Sequence, residues 1–429
     1  MELEKDTMET GLILKGWQST KLKDLVLKAN TGLDAIKRAP IVSYETDHRC
    51  LRIQDVSQKK DFENWGYCEV TNENYEKFCL KDGDIIIART GETIGVNILI
   101  KDNLKAVFNN GLIRLKVDHK KTTPLFLYFN FQSNRYREYI NSISRGTSTQ
   151  PNMQIGSLLD FEILLPSLEI QKQITDILSS LSDKIFLNNQ INSNLEIFSS
   201  VLFKQWFIDF NFPDRKGKPY KTENGKMTLS EFGMIPEGWT VEPAQGFFDF
   251  TKGIEPGNKN YLDLGYENTI PFFRVGDIFN GNQSKVFIKK PDTDTAIMNP
   301  SDVLFSTDGT VGRVAIGLYG SYSGGIKKVT SKNKSITNSF IYLWLKSNLV
   351  QDKLREYASN ATTIAHASGA IKDLRIIYNK ETIEKFCLLN EPIFETIVNN
   401  LIENIALKKI IDSLSPRLMS GGIKIPINR

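Results

Sequence analysis

The sequence predicts an α+β protein built twice: two duplicated mixed α/β domains, each followed by a long helix, with the two helices packing on one another. Three observations predict it. The chain repeats itself at a long period, each copy trails a matched apolar heptad seam, and the interior of each copy is patterned for strands.

The duplication comes first. Lys15-Gly16-Trp17 recurs as Glu237-Gly238-Trp239, 222 residues later. Cys50-Leu51-Arg52-Ile53-Gln54-Asp55-Val56 recurs at the same offset as Phe272-Phe273-Arg274-Val275-Gly276-Asp277-Ile278. Asp84-Ile85-Ile86-Ile87 with Gly91 recurs as Asp302-Val303-Leu304-Phe305 with Gly309, now 218 residues on. A drifting offset is what loop insertions and deletions produce, and the period is far too long for a solenoid unit.

The trailing segments carry the helices. Ile174, Ile177, Leu181, Ile191, Leu195, Phe198 and Leu202 recur at spacings of three and four, and Phe394, Ile397, Leu401, Ile411 and Leu418 follow the same pattern. Such spacing is a coiled-coil seam. Both copies hold polar residues in mid-seam, Lys184 and Asn188 in one, Asn404 and Lys408 in the other. They read as a local stutter in which the apolar stripe drifts and resumes. Pro166-Ser167 and Glu391-Pro392 are the N-terminal signals, and Gly421-Gly422 the stop.

Within the copies, Asp84 to Ala88, Arg89-Thr90-Gly91-Glu92 and Ile94 to Ile100 read as a hairpin, with Thr307-Asp308-Gly309-Thr310 as the turn of its counterpart. Asp84 and Asp302 read as structural residues where those turns begin. Thr123 to Ser144 and Thr337 to Ala358 read as helical, their aromatic stripes as core. Asp214 to Lys226, rich in Gly, Pro and charge, reads as a solvated connector. The organisation is therefore a first domain over 1–165, its helix over 166–212, a linker over 213–236, a second domain over 237–381 and its helix over 382–429.

Composition excludes several classes. With 54 Lys+Arg against 50 Asp+Glu, the net charge of +4 does not announce nucleic-acid binding, so any such binding rests on local patches. The 25 Phe, 14 Tyr and 5 Trp are too many rings for a disordered chain. Cys50, Cys68, Cys79 and Cys387 form no CxxC, and His48, His119 and His366 pair with no ligand at metal spacing. Met1 to Glu9 lacks the pattern of a signal peptide, and no apolar run is long enough to span a membrane, so a reduced, cytoplasmic protein is expected. There is no GxxxxGK[ST], no GxGxxG with a following acid, no GxSxG, no HExxH and no Asp/Asn-Pro-Pro-aromatic motif. Two copies of one domain without catalytic residues point to a binder that reads two similar things.

The order of motifs resembles the specificity subunit of Type I restriction–modification systems. The matching stretches are Gly16-Trp17 and Pro236-Glu237-Gly238-Trp239, Gly83 to Gly91 with its copy at Ser301 to Gly309, Ile163 to Gln171, and Leu202 to Phe210. Tyr378-Asn379-Lys380 departs from the pattern, lacking the Leu-Pro of the first copy. The resemblance implies two target-recognition domains, each reading half of a bipartite double-stranded DNA site. It implies that the long helices pair antiparallel and set the spacing, and that the chain docks two methyltransferase subunits and two restriction subunits. S-adenosylmethionine, ATP and Mg are then expected on those partners, with no cofactor, metal or catalytic residue on this chain.

Phosphate contacts need Lys and Arg, and base contacts need Arg, Asn, Gln, Ser or Thr on loops that enter a groove. The candidates are Arg89, Thr90, Asn109, Asn110, Arg145, Thr147, Ser148 and Gln150 in the first domain. In the second they are Thr307, Arg313, Lys327, Lys328, Thr363 and His366. A surface or turn role competes with base contact for each. A reading from another class is an adaptor that bridges proteins through its duplicated helices and reads no DNA.

Overall fold

The computed structural model describes residues 16–144, 152–279, 284, 286–359 and 367–423. The chain divides into two units, residues 1–183 with 407–429, and residues 184–406.

The first unit is built on a four-stranded antiparallel sheet in the order Val26–Thr31, Leu112–Val117, Ile85–Ala88, Asn97–Leu99. Ile85-Ile86-Ile87-Ala88 is apolar throughout because both faces of this inner strand are covered. Alternation sends Ile85 and Ile87 into one core with Ile113 and Leu115, and Ile86 and Ala88 into another with Leu51 and Phe108. A second sheet, Ile41–Val42, Gly66–Cys68, Arg49–Leu51 and Ala106–Phe108, ends in a parallel pair. Gln18–Lys21 pairs antiparallel with Glu162–Leu165, the strand that leads into the first long helix.

The second unit repeats this plan. Its main sheet runs Phe248–Lys252, Ile326–Ser331, Val303–Ser306, Val314–Ala315. Its second sheet holds the equivalent parallel pair, Thr269–Phe273 with Gly320–Tyr322. Thr240–Pro243 pairs with Arg375–Tyr378 as the lead-in to the second long helix. The fold is thus α+β and duplicated, as the sequence repeat requires.

Both aspartates are structural, but each caps the turn that leads into the central strand and not the hairpin turn that follows it. Asp84 accepts from the Lys81 amide at 2.9 Å and Asp302 from the Asn299 amide at 2.8 Å. Each then faces a cation from the neighbouring strand, Arg114 and Lys328, at 3.7 Å in both cases. The helical stretch 123–144 breaks into Pro124–Asn130 and Asn134–Ser144, because the Ser133 hydroxyl caps the second piece at the Tyr136 amide. Its counterpart breaks at Ser347, which is extended, into Asn338–Lys346 and Asn348–Ser359. The 213–236 linker carries a hairpin, Met227–Ser230 with Gly233–Pro236, just after the stretch read as a solvated connector. Beside it Phe212 stacks on Tyr220 and Trp239 at 4.8 and 4.9 Å.

The long helices are Leu168–Phe207 and Lys380–Met419, 40 residues each. The second therefore does not start near Glu391-Pro392. Asn379 caps it, its side-chain oxygen accepting from the Thr382 amide at 3.0 Å. Pro392 sits inside the helix, where its missing N–H deprives only the carbonyl of Leu388, a residue 78% exposed.

The seam also differs from the expected one. Ile177 and Phe198, assigned to it from the sequence pattern, are 39% and 56% exposed. The buried or half-buried line runs 174, 178, 181, 185, 188, 192, 195, 199, 202, 206, alternating steps of four and three without a break. The asparagines therefore lie on the seam, and no stutter is needed. Within the second unit Asn188 is fully buried and donates to Glu403 Oε2 at 2.7 Å and Asn404 Oδ1 at 2.9 Å. Asn400 donates to Asn192 Oδ1 at 2.8 Å, and Asn192 donates to the Ile397 carbonyl at 3.2 Å. Lys184 pairs with Glu403 at 3.2 Å. Rising numbers on one helix meet falling numbers on the other, so the pair is antiparallel. Apolar seam residues flank this polar block: Leu195, Leu202 and Phe203 with Phe394 and Ile397 in the second unit, Ile174 and Leu178 with Leu418 in the first. Among the described residues no helix is long and apolar enough to cross a membrane.

Candidate nucleic-acid interface

In each domain the turn after the central strand is tied to the segment just before the lead-in strand of the long helix. In the first domain this turn follows Ile85–Ala88, with Gly91 and Gly95 at φ +78° and +85°. A side chain at Gly95 would also press on Ile140, 2.9 Å away. Arg89 is pinned at both backbone atoms: its amide donates to the Gly111 carbonyl at 3.0 Å and its carbonyl accepts from the Met153 amide at 2.8 Å. Its guanidinium gives Nε and Nη2 to Asn152 Oδ1, at 3.2 and 3.0 Å. Thr90 forms an isolated bridge with Asn152 and is half-buried.

Thr307 occupies the same place in the second domain. Its amide donates to the Gly325 carbonyl at 2.8 Å and its carbonyl accepts from the Ala367 amide at 2.7 Å. The side chain is fully buried, donating to the Gly325 carbonyl at 3.2 Å and receiving the Ser368 hydroxyl at 3.1 Å. One backbone scaffold thus displays an arginine in one copy and buries a threonine in the other.

The remaining candidates divide by exposure. Asn110 is exposed at the bend before Leu112–Val117, whereas Asn109 is half-buried with its side-chain oxygen inside the domain. Arg313 is exposed on the second domain's turn, its backbone held to Ser306. Lys327 is buried, donates to the Gly324 carbonyl at 2.7 Å, and is driven below its ordinary pKa by that burial. Lys328 gives its amine to the Ile297 carbonyl at 2.7 Å and faces Asp302, the place that Arg114 takes beside Asp84. These two lysines and Thr307 serve the fold of their own domain, a role their residue types did not disclose. Arg145, Thr147, Ser148, Gln150, Thr363 and His366 lie outside the described residues. Asn152, which no sequence argument singled out, joins the group through Arg89. Its one signal is its place two residues after the polar run Arg145 to Gln150.

Comparison with known proteins bears on this arrangement. The family model described as the Type I restriction modification DNA specificity domain matches residues 15–197 and 236–386. The chain is 30% identical over 314 residues to the Type I restriction enzyme MjaIX specificity subunit of Methanocaldococcus jannaschii, covering 70% of this chain and 69% of that one. It is 25% identical over 423 residues to the HindI specificity subunit of Haemophilus influenzae, covering 83% and 91%. A crystal structure of the S subunit from M. genitalium shares the fold, with a TM-score of 0.55 over 96% of this chain and 97% of that one at 16% identity.

Proposed function

The chain belongs to the Type I restriction–modification DNA specificity family, and from that premise we propose how it works as a specificity subunit. Each domain contacts one half of a bipartite duplex site, and the chain docks methyltransferase and restriction subunits, two of each. Those partners supply S-adenosylmethionine, ATP and Mg chemistry, while this chain contributes recognition and no catalytic group. The observation that carries the reading is the matched turn of the two domains. A shared backbone scaffold that holds Arg89 at the turn in one copy and buries Thr307 there in the other suits two domains that read different sequences.

The half-buried Arg89 and the exposed Asn110 and Arg313 are the proposed contacts, together with Arg145 to Gln150, a run that ends two residues before Asn152 in sequence. Thr90 and Asn109 are placed to support those turns. Docking is assigned to the exposed face of the first long helix, where Phe186, Ile197, Phe198 and Val201 are exposed. Exposed apolar residues gathered on one element are what a protein partner covers.

The test is a salt titration of binding, by the chain assembled with its methyltransferase subunits, to duplexes carrying its motif or scrambled sequence. Affinity for both should fall linearly in log–log terms as salt rises, with preference for the motif retained. Binding to methyltransferase subunits with no affinity for any duplex would establish the adaptor reading instead.

A further inference from the structure

We infer that Arg89 reads a guanine in the half-site of the first domain, and that Asn152 is the positioning residue that turns one edge of its guanidinium outward. The inference rests on the reading of the chain as a DNA specificity subunit. An arginine side chain carries five donors in a planar fork with two usable edges. The Nε/Nη2 edge is committed, since both atoms donate to Asn152 Oδ1, at 3.2 and 3.0 Å. The Nη1/Nη2 edge is left, and two parallel N–H groups match the O6 and N7 acceptors that guanine presents in the major groove. An amide oxygen holds the group without neutralising it, so this contact leaves its charge for a partner.

Arg114 shows the contrast within the same domain. It is 1% exposed, lies 3.7 Å from the Asp84 carboxylate, and gives further donors to the Cys79 and Lys77 carbonyls at 3.0 Å. That is an arginine consumed by the fold. Arg89 has a backbone pinned on two sides and a side chain braced by one neutral residue at the surface end of a turn. Bracing lowers the entropy lost when a long side chain is ordered on a ligand. The second domain buries Thr307 at this position, so the guanine contact belongs to one half-site only.

The experiment uses the chain assembled with its methyltransferase subunits and a duplex library randomised across both half-sites. Sequences recovered from the bound fraction give a preference at each position. Arg89→Ala should lower the preference for guanine at one position of one half-site by about 10-fold, or about 1.4 kcal/mol. Arg89→Lys, which keeps the charge and loses the fork, should relax the same position while leaving the salt slope unchanged. Asn152→Ala should relax that position by a smaller factor with Arg89 still present. Circular dichroism melts check that the variants fold. Uniform weakening across all sequences, with the salt slope reduced by about one unit in Arg89→Ala alone, would make Arg89 a phosphate contact and overturn the inference. Unchanged preferences, or relaxation in both half-sites, would overturn it as well. An unmodified complex without sequence preference would instead remove the specificity reading beneath it.

Discussion

The two domains share a scaffold and differ in what the scaffold holds. At the start of each central strand an aspartate caps the backbone and faces a cation from the neighbouring strand. In the first domain that cation is Arg114, at 1% exposed beside Asp84 at 4%; in the second it is Lys328, at 12% beside Asp302 at 18%. At the turn itself, Arg89 stands where Thr307 is buried. Duplication preserved the hydrogen bonds that make the fold and released the side chains that face outward. The difference teaches that these cations are told apart by where their donors go, since residue type alone put Lys328 beside Arg89 among the candidates.

The largest expected effect tests the buried pair. Arg114→Ala leaves Asp84 in the core without its cation. Burial already holds the Asp84 carboxyl above its ordinary range. Loss of about 3–5 kcal/mol is expected, read by denaturant unfolding. Lys328→Ala, at the more open copy, should cost no more than about half as much. Equal losses would mean that the two pairs are buried alike.

Next in size is the polar block of the helix pair. Asn188→Ala removes a buried donor to Glu403 and Asn404, and a loss of about 1–3 kcal/mol is expected by the same measurement. Asn188→Leu should recover much of that loss while admitting slipped pairings, since a buried asparagine fixes register better than it adds stability. Cysteine cross-linking between the helices would expose the slippage.

The smallest effect is a pH dependence. The Asn188 amide and then the Lys184 ammonium hold the Glu403 carboxyl below its ordinary value of 4.5. A depressed carboxyl binds its proton less readily in the folded state. Its stabilisation is therefore present above pH 4.5 and lost as pH falls through the lower folded value. In Asn188→Ala the Glu403 titration, followed by NMR, should move up towards 4.5. An unmoved titration would mean that Lys184 alone sets it.

The repeat made the duplicated α+β plan and the paired helices legible from the sequence, because loop length changes the offset without erasing the motifs. The seam was misplaced for a physical reason. A search for apolar residues takes in Ile177 and Phe198, which face outward, reads Asn188 as an interruption and passes over Asn192, although both asparagines face the partner helix. The boundary drawn at 382 falls two residues inside the second helix, whereas the Glu391-Pro392 signal misplaced its start, because the Asn379 cap is shown only by its hydrogen bond from Thr382. At the candidate interface Arg89 and Asn110 were legible as polar residues at turns. Lys327 and Lys328 were not, since a strand residue's direction follows from pairing register, which a single sequence does not display, and Thr307 was not, since it is buried by contacts with Gly325 and Ser368, distant in sequence. Asn152 was out of reach because it acts through Arg89, 63 positions away.

The central claim is that the two domains are independent readers. The direct measurement exchanges residues 20–165 for the equivalent domain of a relative and maps methylated sites in cells that carry the matching methyltransferase subunit. One half of the methylated motif should change to that of the donor, with the other half and the spacer unchanged. A change in both halves would contradict the account.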